Sequence, residues 1–85
     1  MKEIGLKLKR IREIYGLSQE QVAFHCQISQ SAYCKKENGQ RIPSLERLIQ
    51  LTTLYEIDLQ DLINLDLREI SILAHQKQIE KLSRN

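Results

Sequence analysis

Leu17-Ser18-Gln19-Glu20-Gln21-Val22-Ala23, followed by Ile28-Ser29-Gln30 and closed by Glu37-Asn38-Gly39, is the stretch that decides the fold. It reads as two short helices joined by a tight turn. Ser18 is placed to cap the first helix, and Gln21, three residues on, completes a capping box. Ser29 is placed to cap the second, which Asn38-Gly39 ends with residues that tolerate a left-handed conformation. Between the caps, Val22, Ala23, Cys26, Ile28 and Tyr33 are spaced to meet one core. A second helix that starts so soon after the first has its N-terminal turn open to solvent, a geometry that suits the major groove of DNA.

Outward from this stretch the pattern stays helical. A first helix is expected over residues 3–15, with Ile4, Leu8, Ile11 and Tyr15 on one face and Gly16 ending it. The two short helices then run over 19–25 and 30–37. A loop, Asn38 to Pro43, leads to a fourth helix at 45–54, capped by Ser44 and carrying Leu45, Leu48, Leu51 and Leu54. Asp58 is expected to cap a short fifth helix containing Leu59, Leu62 and Ile63. Asp66 and Glu69 mark another capped start, for a helix over 67–82. At 100° per residue, Leu67, Ile70, Leu73 and Ala74 fall on one side of that helix, and Ile72, Ile79 and Leu82 nearly opposite. The first stripe suits docking onto the domain; the second is expected to make a dimer contact or bind a partner protein. No stretch alternates as a strand does, so the fold class is all-α.

The order and spacing of several short motifs resemble the phage Cro/repressor-type, or XRE, family of helix-turn-helix proteins. The motifs are Leu8-Lys9-Arg10-Ile11-Arg12, Gly16-Leu17-Ser18-Gln19, Glu37-Asn38-Gly39, Pro43-Ser44-Leu45 and Leu59-Gln60-Asp61-Leu62, and the resemblance covers residues 6 to 64. It implies a five-helix, lambda-repressor-like domain, here residues 1–64, with an additional helical tail over 65–85. It implies binding to double-stranded operator DNA, as a homodimer on an inverted repeat, by a transcriptional regulator that represses by occupying a promoter. Two alternatives stand beside it: an antitoxin-type or phage-type regulator that also binds a partner protein, and an interaction module that has lost DNA binding.

Side chains near the start of the third helix are the candidates for base contact: Gln30, Ser31, Cys34 and Lys35. The Gln30 amide sets a donor beside an acceptor, which matches adenine N6 and N7, while Lys35 suits guanine O6/N7 or a phosphate. The family pattern, carried over by position, supports Gln30, Ser31 and Lys35. Phosphate contacts are expected from Gln19 and the helix start it occupies, and from Asn38, Gln40 and Arg41, with Lys9 and Arg10 acting at longer range. The resemblance also implies an ion pair of Arg12 with Glu37. Three positions depart from the family pattern: Gln27 where glycine is preferred in the turn, Lys36 where an apolar residue is usual, and Tyr33 in place of a smaller aliphatic.

Composition bounds these readings. The 85 residues allow one domain, and 41% hydrophobic with 28% charged residues is ordinary for a globular protein. The net charge of +2 is unevenly spread. Residues 1–47 carry nine Lys/Arg against five acids, and residues 48–85 four against six. Such an asymmetry suits a polyanion on one side. No apolar run approaches the roughly 20 residues of a membrane span, and no signal-peptide core opens the chain, so the cytosol is the expected compartment. Cys26 and Cys34 form no disulfide framework; Cys26 is expected in the core and Cys34 at the surface. With His25 and His75, they show neither metal-ligand spacing nor a nucleophile–base pattern. No metal, cofactor or enzymatic activity is expected.

Overall fold

The computed structural model describes residues 3–83. Among them are six helices: α1 (Ile4–Ile14), α2 (Gln19–His25), α3 (Gln30–Glu37), α4 (Leu45–Tyr55), α5 (Leu59–Asn64) and α6 (Leu67–Ser83). Lys2, counted in the basic half, lies outside the described residues, as do residues 1, 84 and 85.

The helix starts follow the polar residues that precede them. Ser18 Oγ accepts from the Gln21 N–H (3.0 Å), and Gln21 Oε1 accepts from the Ser18 N–H (2.8 Å), a complete capping box. Ser29 and Ser44 cap α3 and α4 through the amides of Ala32 (3.1 Å) and Arg47 (3.2 Å). Asp66 and Glu69 make a second reciprocal box at the start of α6. Asp58 departs from expectation: it holds the cap position of α5 but its side chain accepts no capping hydrogen bond. Asp58 and Gln60 are both exposed, so water can serve the amides at that end.

Three helices stop by one device. Gly16 (φ 72°), Gln27 (φ 60°) and Glu56 (φ 56°) are left-handed. The next amide in each case reaches back five residues: Leu17 to Arg12 O, Ile28 to Ala23 O, and Ile57 to Thr52 O. This is the Schellman arrangement, and its apolar residue after the left-handed position is present all three times. Gly16 meets the glycine preference of that position; Gln27 and Glu56 adopt it with side chains.

Leu8, Val22, Tyr33, Leu51, Leu62, Ile70 and Ala74 are fully buried, so α6 shares one core with the preceding helices. Its Leu67 and Leu73 pack at the margin of that core. On α4 the inward residues are Leu48, Leu51, Thr52 and Tyr55, while Leu45 stays 64% exposed. Lys7 is also buried, and its ammonium donates to Leu62 O (3.0 Å) and Ile63 O (3.3 Å). It thereby satisfies carbonyls left open at the end of α5, where a cation is also favoured by the helix dipole. Tyr15 bridges α1 and α4: its hydroxyl donates to Tyr55 O (2.6 Å) and its ring packs edge-on against Tyr55.

Candidate nucleic-acid interface

Helix α3 has a committed inner face. Tyr33 and Glu37 are buried, whereas Gln30, Ser31 and Lys35 are exposed. The structure thus brings three of the four sequence-derived base-contact candidates onto one open surface. Cys34 differs from expectation: it is half-buried, in a shallow groove with Gly5, Leu6, Lys9, Gln19 and Asn38. Lys36 lies half-buried beside the inner face without displacing Tyr33 or Glu37 from it.

The inner face is anchored by charge. Glu37 has a side chain only 2% exposed, and Arg12 meets it with two prongs, Nε to Oε2 at 2.7 Å and Nη2 to Oε1 at 3.2 Å. The third Arg12 nitrogen, Nη1, donates to Leu17 O at 2.9 Å, so the guanidinium ties the end of α1, the approach to α2 and the end of α3 together. Burial pushes the Glu37 carboxyl up, but the hydrogen bonds from Arg12 and Gln19 and the Arg12 charge together outweigh it and hold the group below its ordinary value. Tyr33 also favours the charged carboxylate. Its hydroxyl is buried and forms no hydrogen bond of regular geometry, so proximity rather than a formed bond is its contribution. Burial raises the Tyr33 and Tyr55 hydroxyls well above the ordinary phenol range.

Gln19 opens α2 and is half-buried, its Nε2 donating to Glu37 Oε1 at 3.2 Å. The phosphate-contact candidate at this helix start is therefore held by the same carboxylate that anchors α3. The capping box occupies the Ser18 and Gln21 amides, which leaves those of Gln19 and Glu20 at the open end of α2.

The exit from α3 is unlike the three Schellman stops. Asn38 Oδ1 accepts from the Gln40 N–H (3.1 Å), and the Arg41 N–H reaches back to Lys35 O (3.1 Å). Asn38, Gln40 and Arg41 are all exposed. The loop is folded onto α3, so the Arg41 side chain starts beside the Lys35 turn instead of trailing into solvent. Lys9 and Arg10 are exposed on α1.

Two positioning residues were not legible in the sequence. A Cβ on Gly5 would lie 2.4 Å from Glu37 O and 2.5 Å from Lys36 O, so α1 and the end of α3 approach as closely as they do because residue 5 has no side chain. Arg47, half-buried on α4, donates through Nη1 to Cys26 O at 2.7 Å and so fixes the end of α2 just before the turn. A glycine inside an otherwise strong helical pattern is a signal for close packing; for Arg47 the sequence carries none.

Two helices joined by a left-handed turn, the second capped, inwardly anchored and polar on its open face, define a helix-turn-helix DNA-binding domain. A helix-turn-helix family model matches residues 8–62, and the chain belongs to this family, in its XRE type. It is a DNA-binding regulator of that class. No curated protein and no solved structure gives a match. The family match ends within α5, so α6 lies outside it. Among the described residues, no helix is long and apolar enough to cross a membrane, and no group of His, Cys, Asp and Glu is placed to hold a metal.

Proposed function

We propose that this regulator is a cytosolic repressor that reads an inverted-repeat operator as a homodimer and blocks transcription by occupying it. The observation that carries the reading is the exposed row of Gln30, Ser31 and Lys35 on a helix whose opposite face is locked by Glu37. A helix held this rigidly presents its polar row at a fixed angle, as base readout requires. Gln30 discriminates best, because its amide pairs in two-pronged fashion with adenine; Ser31 donates or accepts and reads weakly; Lys35 takes guanine or phosphate. Gln19, with the open end of α2, and the folded loop with Asn38, Gln40 and Arg41 supply backbone contacts on either side.

Selection of binding sites from random duplexes tests the reading. The expected result is a two-fold consensus with half-sites about one helical turn apart. Gln30→Ala should then lose preference at one base pair per half-site, at a cost of roughly 1–3 kcal/mol for that pair. An identical consensus for the variant and the parent would remove Gln30 from base readout. Failure to enrich any sequence, with no salt-dependent affinity for duplex DNA, would leave only an interaction module.

A further inference from the structure

Gly5 lies before the matched family region, and at that residue the backbone of α1 meets the last turn of α3. A Cβ there would stand 2.4 Å from Glu37 O, 2.5 Å from Lys36 O and 2.9 Å from the Glu37 carbonyl carbon. All three atoms are backbone, so no side-chain rotation relieves the overlap. Arg12, two turns further along the same face of α1, holds the Glu37 carboxylate through two prongs. The end of α3 is thus gripped by α1 twice, once on its main chain and once on a side chain.

We propose that Gly5 is a positioning residue for DNA reading: by letting α1 and α3 touch, it sets the tilt at which Gln30, Ser31 and Lys35 are presented. The inference rests on the base readout proposed above. Of the two helices, α1 is the braced one. Lys7 ties it to the end of α5, and Tyr15 ties its far end to Tyr55 O. Helix α6 also packs on it, burying Ile70 and Ala74 while Ile72, Ile79 and Leu82 stay exposed on the outer side. The end of α3 leads instead into an exposed loop. A methyl group on residue 5 would therefore displace α3 rather than α1. Ordinary contact begins at 3.4 Å, so Glu37 O has to retreat by about 1 Å. The start of α3 is held by the Ser29 cap and its middle by buried Tyr33, so the retreat becomes a tilt. Over the roughly 11 Å of an eight-residue helix it amounts to about 5°. The long side chains of Lys35 and Arg41 keep a phosphate through such a change by rotating. A two-pronged amide does not, because both of its hydrogen bonds depend on angle as well as distance. The cost therefore falls on sequence discrimination and not on general affinity.

Gly5→Ala tests this, read as affinity for the selected site and for a scrambled duplex at several salt concentrations. Alanine is a better helix former than glycine, so the variant should fold. Ile70→Val serves as the control: it trims the core under α6 and should lower Tm without changing discrimination. For Gly5→Ala the expected result is a roughly tenfold loss on the selected site, with the scrambled duplex bound within about twofold of the parent. The salt slope should stay unchanged. Discrimination equal to that of the parent, an equal loss on both duplexes, or the same loss in Ile70→Val would each overturn the proposal. If Gly5→Ala unfolds below the assay temperature, the titrations are run in sucrose, which favours the compact state. A variant unfolded even there would make the contact a requirement of folding, and would overturn the proposal too. A parent with no preferred sequence would remove the DNA reading itself and this proposal with it. A preferred sequence with unaltered discrimination in Gly5→Ala removes the proposal alone.

Discussion

Gln27 holds φ at 60° in the turn between α2 and α3, the conformation for which the family prefers glycine. A side chain there costs on the order of 1 kcal/mol, through the clash of Cβ with the following carbonyl. Arg47 offsets part of this by donating to Cys26 O one residue earlier, which holds the chain at the point where the turn begins. Gln27→Gly should therefore stabilise the protein, by no more than about 1 kcal/mol, because glycine also gains freedom in the unfolded chain. For a domain of this size that corresponds to a rise in Tm of a few degrees. Glu56→Gly relieves a similar strain at the end of α4 but also removes the Lys81 contact at 3.9 Å, so its gain should be smaller. Thermal unfolding of the two variants checks both the sign and the order; a lower Tm for Gln27→Gly would mean that its side chain stabilises the turn.

The Arg12–Glu37 pair is what keeps α1 and α3 in register, and it makes stability depend on pH. Glu37 is held below its ordinary value of 4.5 in the folded protein. The folded carboxyl then binds its proton less tightly than the unfolded one. Its contribution is complete above about pH 4.5 and is lost as pH falls through the folded value. Glu37→Gln should be less stable at neutral pH, since it leaves a partly buried arginine unpaired, and should lose less on acidification between pH 4.5 and the folded value. Urea titrations across that range read this directly; parallel pH profiles for the two proteins would show that the pair is not coupled to folding. Tyr15, raised to about 12 chiefly by burial and also by Glu56 and Glu80, works in the opposite sense and withdraws stability above pH 10. The six helices were legible because caps and apolar spacing are local signals: Ser18 with Gln21 and Asp66 with Glu69 announce their helices within four residues. The Arg12–Glu37 pair came only through likeness to a family, because nothing local links residues 25 apart. The burial of Lys7 has no local signal either, since the carbonyls it bonds lie 55 and 56 residues along the chain.

Across the whole molecule, the structure changes what the charge count means. Residues 1–47 carry nine basic side chains, but three of the described ones are committed inside the fold: Lys7 to the end of α5, Arg12 to Glu37, and Arg47 to the end of α2. Lys36 is half-buried, which leaves Lys9, Arg10, Lys35 and Arg41 exposed among the described residues of this half. Were all four to reach phosphates, the expected log–log salt slope is about −0.9 for each, or roughly −4 per protomer. The raw count of nine would have suggested about twice that slope. Arg41 is the best-placed candidate, because its backbone is pinned to Lys35 O and its side chain starts from the end of α3. Arg41→Ala should weaken binding to specific and random duplexes alike and make the slope shallower by about 1. Titrations at several salt concentrations, on the selected site and on a scrambled one, separate this from base readout. A slope unchanged by Arg41→Ala would take that side chain off the phosphates, and a loss confined to the selected site would make it a reader of sequence.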